Sequence, residues 1–175
     1  HVLQTALALE PSRIHVVSGY GSELVRECIG DSIDINWVIQ KEQLGTGHAL
    51  RQAISHVSPG ALVLVLYGDV PLIQTDTLLT LINSCDSGNV AVLTAELENP
   101  TGYGRIVRDS SKRIIGVVEE GDASCVEKKI NEINTGFIAG SGEGFDAWLS
   151  DLKNDNSQKE YYLTDVIGLA AKSEN

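Results

Sequence analysis

Strand-length apolar runs alternate with helix-length patterns along the first hundred residues, and no other feature narrows the fold so far. The runs I-H-V-V-S (14–18), I-N-W-V-I-Q (35–40), A-L-V-L-V-L-Y (61–67) and V-A-V-L-T-A (90–95) are rich in β-branched residues. That composition suits a pleated, largely buried surface. Between them S-E-L-V-R-E-C-I (22–29), H-A-L-R-Q-A-I-S-H-V (48–57) and T-D-T-L-L-T-L-I-N-S (75–84) space their apolar residues three and four apart. That spacing lines one face of a helix. Strand, helix, strand, helix predicts an α/β domain with a mainly parallel sheet and helices on its faces. The third run holds seven apolar residues in a row and is expected at the centre of the sheet.

After residue 100 the pattern changes. G-R-I-V-R-D and R-I-I-G-V-V-E-E flank D-S-S-K, which reads as an antiparallel hairpin inserted at about 104–120. I-N-T-G-F-I-A (133–139) is a further strand, and E-G-F-D-A-W-L-S-D-L and Y-Y-L-T-D-V-I-G-L-A-A-K are helical patterns. The opening H-V-L-Q-T-A-L-A-L reads as the end of a helix with no strand before it. No Pro, Ser or Gly linker divides the 175 residues, so a single domain is predicted.

Charge and composition exclude two partners. Thirteen basic against 24 acidic residues leave a net charge of −11, which disfavours any general binder of a nucleic-acid backbone. The run 61–67 is far shorter than the roughly 20 apolar residues of a membrane span. Cys28, Cys85 and Cys125 are odd in number and widely spaced. They read as reduced packing thiols of a cytoplasmic protein, not as a disulfide framework or a zinc site.

Ligands of open α/β sheets sit beyond the carboxyl ends of the strands, and two such junctions carry chemistry. In K-E-Q-L-G-T-G-H-A-L (41–50), Gly45, Thr46 and Gly47 bring backbone N–H groups close to a ligand at a helix start, and Gln40 and Gln43 add amides for a base edge. The same residues read equally as a tight turn with Thr46 as its N-cap. In Y-G-D-V-P-L (67–72) the most apolar run ends in Asp69. A carboxylate there is placed to hold a hard cation such as Mg²⁺, which needs only one or two carboxylates beside phosphate oxygens and water. The alternative is a turn residue before Pro71.

Taken together, Q-x-E-Q-L-G-T-G-H-A, L-Y-G-D-V-P-L, P-T-G-Y-G-R-I, V-V-E, E-I-N-T-G and E-Y-Y-L-T-D run in order over nearly the whole chain. They resemble the uridylyltransferase domain of the bacterial bifunctional N-acetylglucosamine-1-phosphate uridyltransferase and glucosamine-1-phosphate acetyltransferase family. The resemblance implies a Rossmann-like nucleotidyltransferase fold. It also implies transfer of a uridylyl group from UTP to N-acetylglucosamine 1-phosphate, giving UDP-N-acetylglucosamine and pyrophosphate for cell-envelope polysaccharides. By it, Gln40, Gly45 and Thr46 hold the uracil, Tyr67 and Gly68 line the nucleotide and sugar site, and Asp69 is the catalytic ligand of Mg²⁺. Gly104, Glu119, Asn134, Tyr162 and Thr164 hold the amino-sugar. His48 is expected to be a helix-start residue near the pocket and not a catalyst. Residues alone would make Glu119 an exposed strand-end acid beside Glu120.

The family also opens with a strand and a Gly-rich loop, L-A-A-G-x-G-T-R-M, that wraps the triphosphate, and no such segment stands here. Its second metal-ligand asparagine and its left-handed β-helix, which carries acetyl transfer and makes the trimer, are absent as well. Residues 1–175 are therefore expected to be a central piece of the nucleotidyltransferase domain, with little transfer activity of their own. Three rivals stand beside this reading: a non-catalytic sugar-nucleotide binding module, a nucleotidyltransferase for another sugar 1-phosphate, and a GT-A glycosyltransferase. The last usually presents Asp-x-Asp, whereas Asp69 is followed by Val70 and Pro71.

Overall fold

The computed structural model describes residues 1–30, 33–58, 60–85 and 89–173. Helix α1 (Val2–Leu7) precedes strand β1 (Ile14–Ser18), helix α2 (Ser22–Ile29), strand β2 (Ile35–Ile39), helix α3 (Thr46–Ile54), strand β3 (Leu62–Val65), helix α4 (Thr75–Asn83) and strand β4 (Val90–Glu96). Each falls on the run or pattern that the sequence alternation marks. The hairpin strands are β5 (Arg105–Arg108) and β6 (Ile114–Val118); a 3-10 turn (Glu127–Lys129), strand β7 (Glu132–Ser141), helix α5 (Gly142–Ser150) and helix α6 (Asp165–Ser173) complete the order.

β1 and β2 form a parallel pair in register from Ile14↔Ile35 to Ser18↔Ile39. In the larger sheet, β7 pairs antiparallel with β3 over Ser141–Ile138 and with β4 over the overlapping stretch Gly140–Ile138. A strand has only two edges, so β3 and β4 flank β7 and run the same way. Farther along, β7 meets β5 at Arg105↔Ile133, and β5 pairs with β6. The centre is therefore β7 and not β3, because a strand of ten residues is long enough to pair with three others in succession.

The apolar character of β3 has another cause, which is burial of both faces. Val63 and Val65 pack with Ile138, Val90 and Val92 against α3, α5 and α6, around Leu50, Phe145, Leu149 and Val166. Leu64 and Leu66 pack with Phe137, Ala139, Ala91 and Leu93 against Leu78 and Leu81 of α4. Both faces of the sheet are thus covered by helices, each fully buried Leu or Phe contributing roughly 1.5–3 kcal/mol. A continuous apolar run reports covered faces, and says nothing about how many edges are paired.

The register of β7 breaks where the site begins. Between Val92↔Ile138 and Thr94↔Asn134, β7 advances four residues while β4 advances two. The surplus is taken up by a bulge in which Gly136 adopts φ +89° and Thr135 donates its hydroxyl to the Leu93 carbonyl at 2.7 Å. Bulges of this kind bend a strand and re-aim its side chains.

Candidate active site

The first half of the site is built where β2 becomes α3. The Gln40 N–H donates to the Ser18 carbonyl at 2.9 Å, extending the β1–β2 pairing by one step. Its side chain is only 8% exposed. The amide nitrogen donates to the Gly45 carbonyl at 3.1 Å and meets His48 Nδ1 at 2.9 Å. Gln43 donates its own amide to the Gln40 carbonyl at 3.0 Å. Gly45 caps α3 with φ +104°, and a Cβ there would stand 2.7 Å from the Tyr161 carbonyl oxygen. Thr46 is the first residue of the helix and its side chain makes no cap; its hydroxyl accepts from the Leu163 N–H at 3.1 Å.

Backbone bonds close this loop onto the segment before α6. Tyr161 N–H donates to the Leu44 carbonyl and Gly47 N–H to the Tyr161 carbonyl, both at 2.8 Å. One of the N–H groups at the α3 start is thereby occupied, which weakens any reading of it as a phosphate cradle. The glycines instead let two backbones touch.

The second half gathers around Tyr67, at the end of β3. Its ring lies 2.8 Å from where a Cβ on Gly136 would stand, so the bulge needs a glycine for space as well as for φ. Tyr67, Asn134, Gly136 and Thr164 line a narrow crevice floored by Ile138, Leu163 and Ile167. Burial pushes the Tyr67 hydroxyl above its ordinary pKa; a side-chain hydrogen bond from Thr46 works against this, and the charges of Glu119 and Asp69 add to it. Tyr67 thus stands between the loop at the start of α3 and both carboxylates. Asn134 N–H donates to the Gly104 carbonyl at 2.9 Å, and Asn134 Oδ1 accepts from Gly136 N–H at 3.1 Å. Glu119 Oε1 accepts from the Thr164 hydroxyl at 2.8 Å, and the carboxylate lies 3.1 Å from a Cβ built on Gly104. Tyr162 is drawn in less directly: burial raises its pKa, a hydrogen bond with Ser157 opposes that, and the charges of Asp122 and Glu119 reinforce it.

The eleven residues that the resemblance implicates thus fall in one neighbourhood. Gly68 and Asp69 are at its open side, both exposed, and nothing stands within 4 Å of a Cβ on Gly68. Glu119 and Glu120 have different work despite being adjacent: Glu120 pairs with the buried Arg105 at 2.6 Å and accepts from the Gly102 N–H at 3.3 Å. Arg105 is 1% exposed and also donates to the Tyr103 carbonyl. Gly136, Arg105 and Tyr161 were not singled out from the sequence. Gly136 sits inside the quoted E-I-N-T-G, but only three-dimensional proximity to Tyr67 shows what its missing side chain is for. A wider groove, of about 390 Å³, lies between β6 and α6, walled by Val117, Leu152 and Leu169 with Asp165 and Lys172 among its lining. It shares only Thr164 with the crevice.

A metal is a question of donors. Among the described residues, no group of three or more His, Cys, Asp and Glu side chains is placed to hold an ion. Asp69, exposed at the open side of the crevice, offers a hard carboxylate. That fits Mg²⁺ shared with the phosphates of a nucleotide, which fill most of its shell.

The α/β sheet is covered on both faces and carries a crevice lined by Tyr67, Asn134 and Thr164. The crystal structure of UDP-glucose pyrophosphorylase complexed with UDP-glucose superposes on 98% of this chain and 74% of its own, with a TM-score of 0.76 at 17% identity. The apo form of a UDP-glucose pyrophosphorylase gives 0.74 at 16% identity. The chain belongs to the MobA-like NTP transferase domain family, whose profile matches residues 1–129, and is a nucleotidyltransferase domain. It is 52% identical over 170 residues to the bifunctional protein GlmU of Azoarcus sp. (strain BH72), and 53% identical over 171 residues to that of Nitrosomonas europaea (strain ATCC 19718 / CIP 103999 / KCTC 2705 / NBRC 14298). Each match covers 97% of this chain and 37% of the relative, so the chain spans little more than a third of the length of these proteins.

Proposed function

We propose that this domain transfers a uridylyl group from UTP to N-acetylglucosamine 1-phosphate in the cytoplasm, releasing pyrophosphate and forming UDP-N-acetylglucosamine. The observation that carries the reading is the meeting, around Tyr67, of the Gln40–Thr46 loop with Gly104, Glu119, Asn134 and Thr164, segments far apart in sequence. In this reading Gln40, Gly45 and Thr46 hold the uracil, and Tyr67 and Gly68 line the path of the nucleotide. Glu119, Asn134, Gly104, Tyr162 and Thr164 hold the amino-sugar. An oxygen of the sugar phosphate attacks the α-phosphorus of UTP; one P–O bond forms while the bond to pyrophosphate breaks. The attacking oxygen is already anionic, so no side chain has to remove a proton. The protein's part is alignment and charge balance. Asp69 would hold Mg²⁺, which when bound supplies positive charge to the phosphates. The crevice lining itself contributes no cation.

Pyrophosphate release from UTP and N-acetylglucosamine 1-phosphate by the whole protein tests this. Turnover within about 1–10³ per second is expected, and no release with any uridine nucleotide sinks the reading. Glu119→Ala and Asn134→Ala should each raise KM for the sugar phosphate, by roughly 1–3 kcal/mol or about 5- to 150-fold, because a substrate polar group is left without its partner. KM for UTP should move far less. Equal shifts for both substrates would remove Glu119 and Asn134 from the sugar side.

A further inference from the structure

We infer that His48 sets the base specificity of the site, by holding the Gln40 amide in the one orientation that accepts a uracil. The Gly45 carbonyl can only accept, so the Gln40 atom lying 3.1 Å from it must be the amide nitrogen. That same nitrogen lies 2.9 Å from His48 Nδ1. Its two hydrogens are then both committed, one to each partner. Nδ1 must carry a lone pair, which places the imidazole proton on Nε2. Gln52 approaches Nε2 at 3.2 Å. A neutral imidazole has one lone pair and Gln40 takes it, so Gln52 must present its oxygen to Nε2–H. Turning that amide over gives up the 3.4 Å bond of its nitrogen to the His48 carbonyl and leaves an oxygen facing that carbonyl at long range, a weaker demand than the 3.1 Å bond that orients Gln40. Gln40 has no such freedom while both acceptors stand, being 8% exposed with its nitrogen held by Gly45 and His48 together. The His48 ring is itself seated beside Tyr161, with ring centroids 6.4 Å apart.

What remains free on Gln40 is Oε1, which takes part in none of the described hydrogen bonds and is not among the buried unpartnered atoms. A lone acceptor selects bases by their edge. Uracil presents N3–H and pairs with it; cytosine presents an N3 lone pair and meets it with repulsion. Without the acceptor at His48 Nδ1 only the 3.1 Å bond to the Gly45 carbonyl opposes a turned amide, so the amide is free to show its NH₂ group to a base more often and to admit cytosine. His48 acts through Gln40 and is a positioning residue; the inference rests on the uridine reading of the Gln40–Thr46 loop.

The experiment compares kcat/KM for UTP and CTP in the full-length protein. The wild type is expected to favour UTP at least about a hundredfold, since sites built around a hydrogen bond reject a mismatched partner strongly. His48→Leu should shrink that ratio about tenfold or more. His48→Asn, whose Oδ1 can replace Nδ1 as acceptor, should keep it within about threefold of the wild type. A merely structural role for His48 would weaken both nucleotides alike and leave the ratio in place. An unchanged ratio in His48→Leu, or an equal loss in His48→Asn, overturns the inference while leaving the uridine reading intact. A wild type that uses CTP as well as UTP overturns both. Nitrogen NMR of the His48 ring needs no variant: a pyridine-like Nδ1 and a pyrrole-like Nε2 are expected, and the opposite tautomer refutes the assignment.

Discussion

Asp69→Asn should lower turnover at least about a hundredfold while moving KM for the sugar phosphate much less. The substitution keeps the shape of the side chain and removes its charge. Asp69 is exposed, two residues past Tyr67, whose hydroxyl feels its charge. Asp69 would hold Mg²⁺, which when bound would supply positive charge against the negative charge that builds on the phosphates, so the loss of this carboxylate should be felt in the transition state more than in the ground state. Single electrostatic contacts of this sort are worth about 10²–10³ in kcat. Steady-state kinetics at saturating Mg²⁺ measure the split. Turnover near that of the wild type would reduce Asp69 to a turn residue before Pro71.

The strands and helices were legible because their signal is local. Val63 and Leu64 face opposite layers, and each layer is covered, so the run 61–67 reads as apolar throughout without any knowledge of its neighbours. Sheet order is not local. β7 takes the centre through the length of its ladders with β3, β4 and β5, a property of pairing that no single run displays. Read as strand identity the expectation held; read as strand rank it did not, since covered faces and paired edges are separate demands.

The site divides along the same line. The candidate residues come from motifs, whereas the supports that hold them show only in three dimensions. Glu119 and Glu120 look alike in sequence, yet one faces Thr164 and the other Arg105. The hydrogen bond from Arg105 is the foremost reason that the Glu120 carboxyl stays below its ordinary pKa, with the Gly102 N–H next. The pair ties the G-Y-G turn down one residue from Gly104. Both carboxylates lie just past the end of β6, Glu120 in the turn that follows, so the chain leaves its extended path between them. One carboxylate thereby faces Thr164 of the crevice while the next anchors the loop.

Gly45→Ala should be the most damaging single-carbon change in the base-side loop. Two independent costs meet there. At φ +104° an L residue is strained by about 1–3 kcal/mol. The added carbon would also lie 2.7 Å from the Tyr161 carbonyl oxygen and 2.9 Å from Glu160 Cβ. That oxygen cannot simply move away, because it accepts the Gly47 N–H at 2.8 Å while Tyr161 N–H donates to Leu44 at 2.8 Å. Relieving the clash opens the contact between the loop and the segment 161–163, adding about 1–3 kcal/mol of overpacking. A combined loss of about 2–6 kcal/mol corresponds to a fall in Tm of roughly 4–24 °C for a domain of this size. Gly68→Ala is the control: with nothing within 4 Å of the new carbon, its cost should stay within about 0.5 kcal/mol. Thermal unfolding of the two variants decides the matter. A Gly45→Ala protein that melts within about 2 °C of the wild type would mean that the loop re-forms without its glycine and that its grip on Tyr161 is weak. Because the Gln40 amide donates to the Gly45 carbonyl, the same variant should lose affinity for UTP beyond what its lower stability explains. Calorimetric titration well below its Tm separates the two effects.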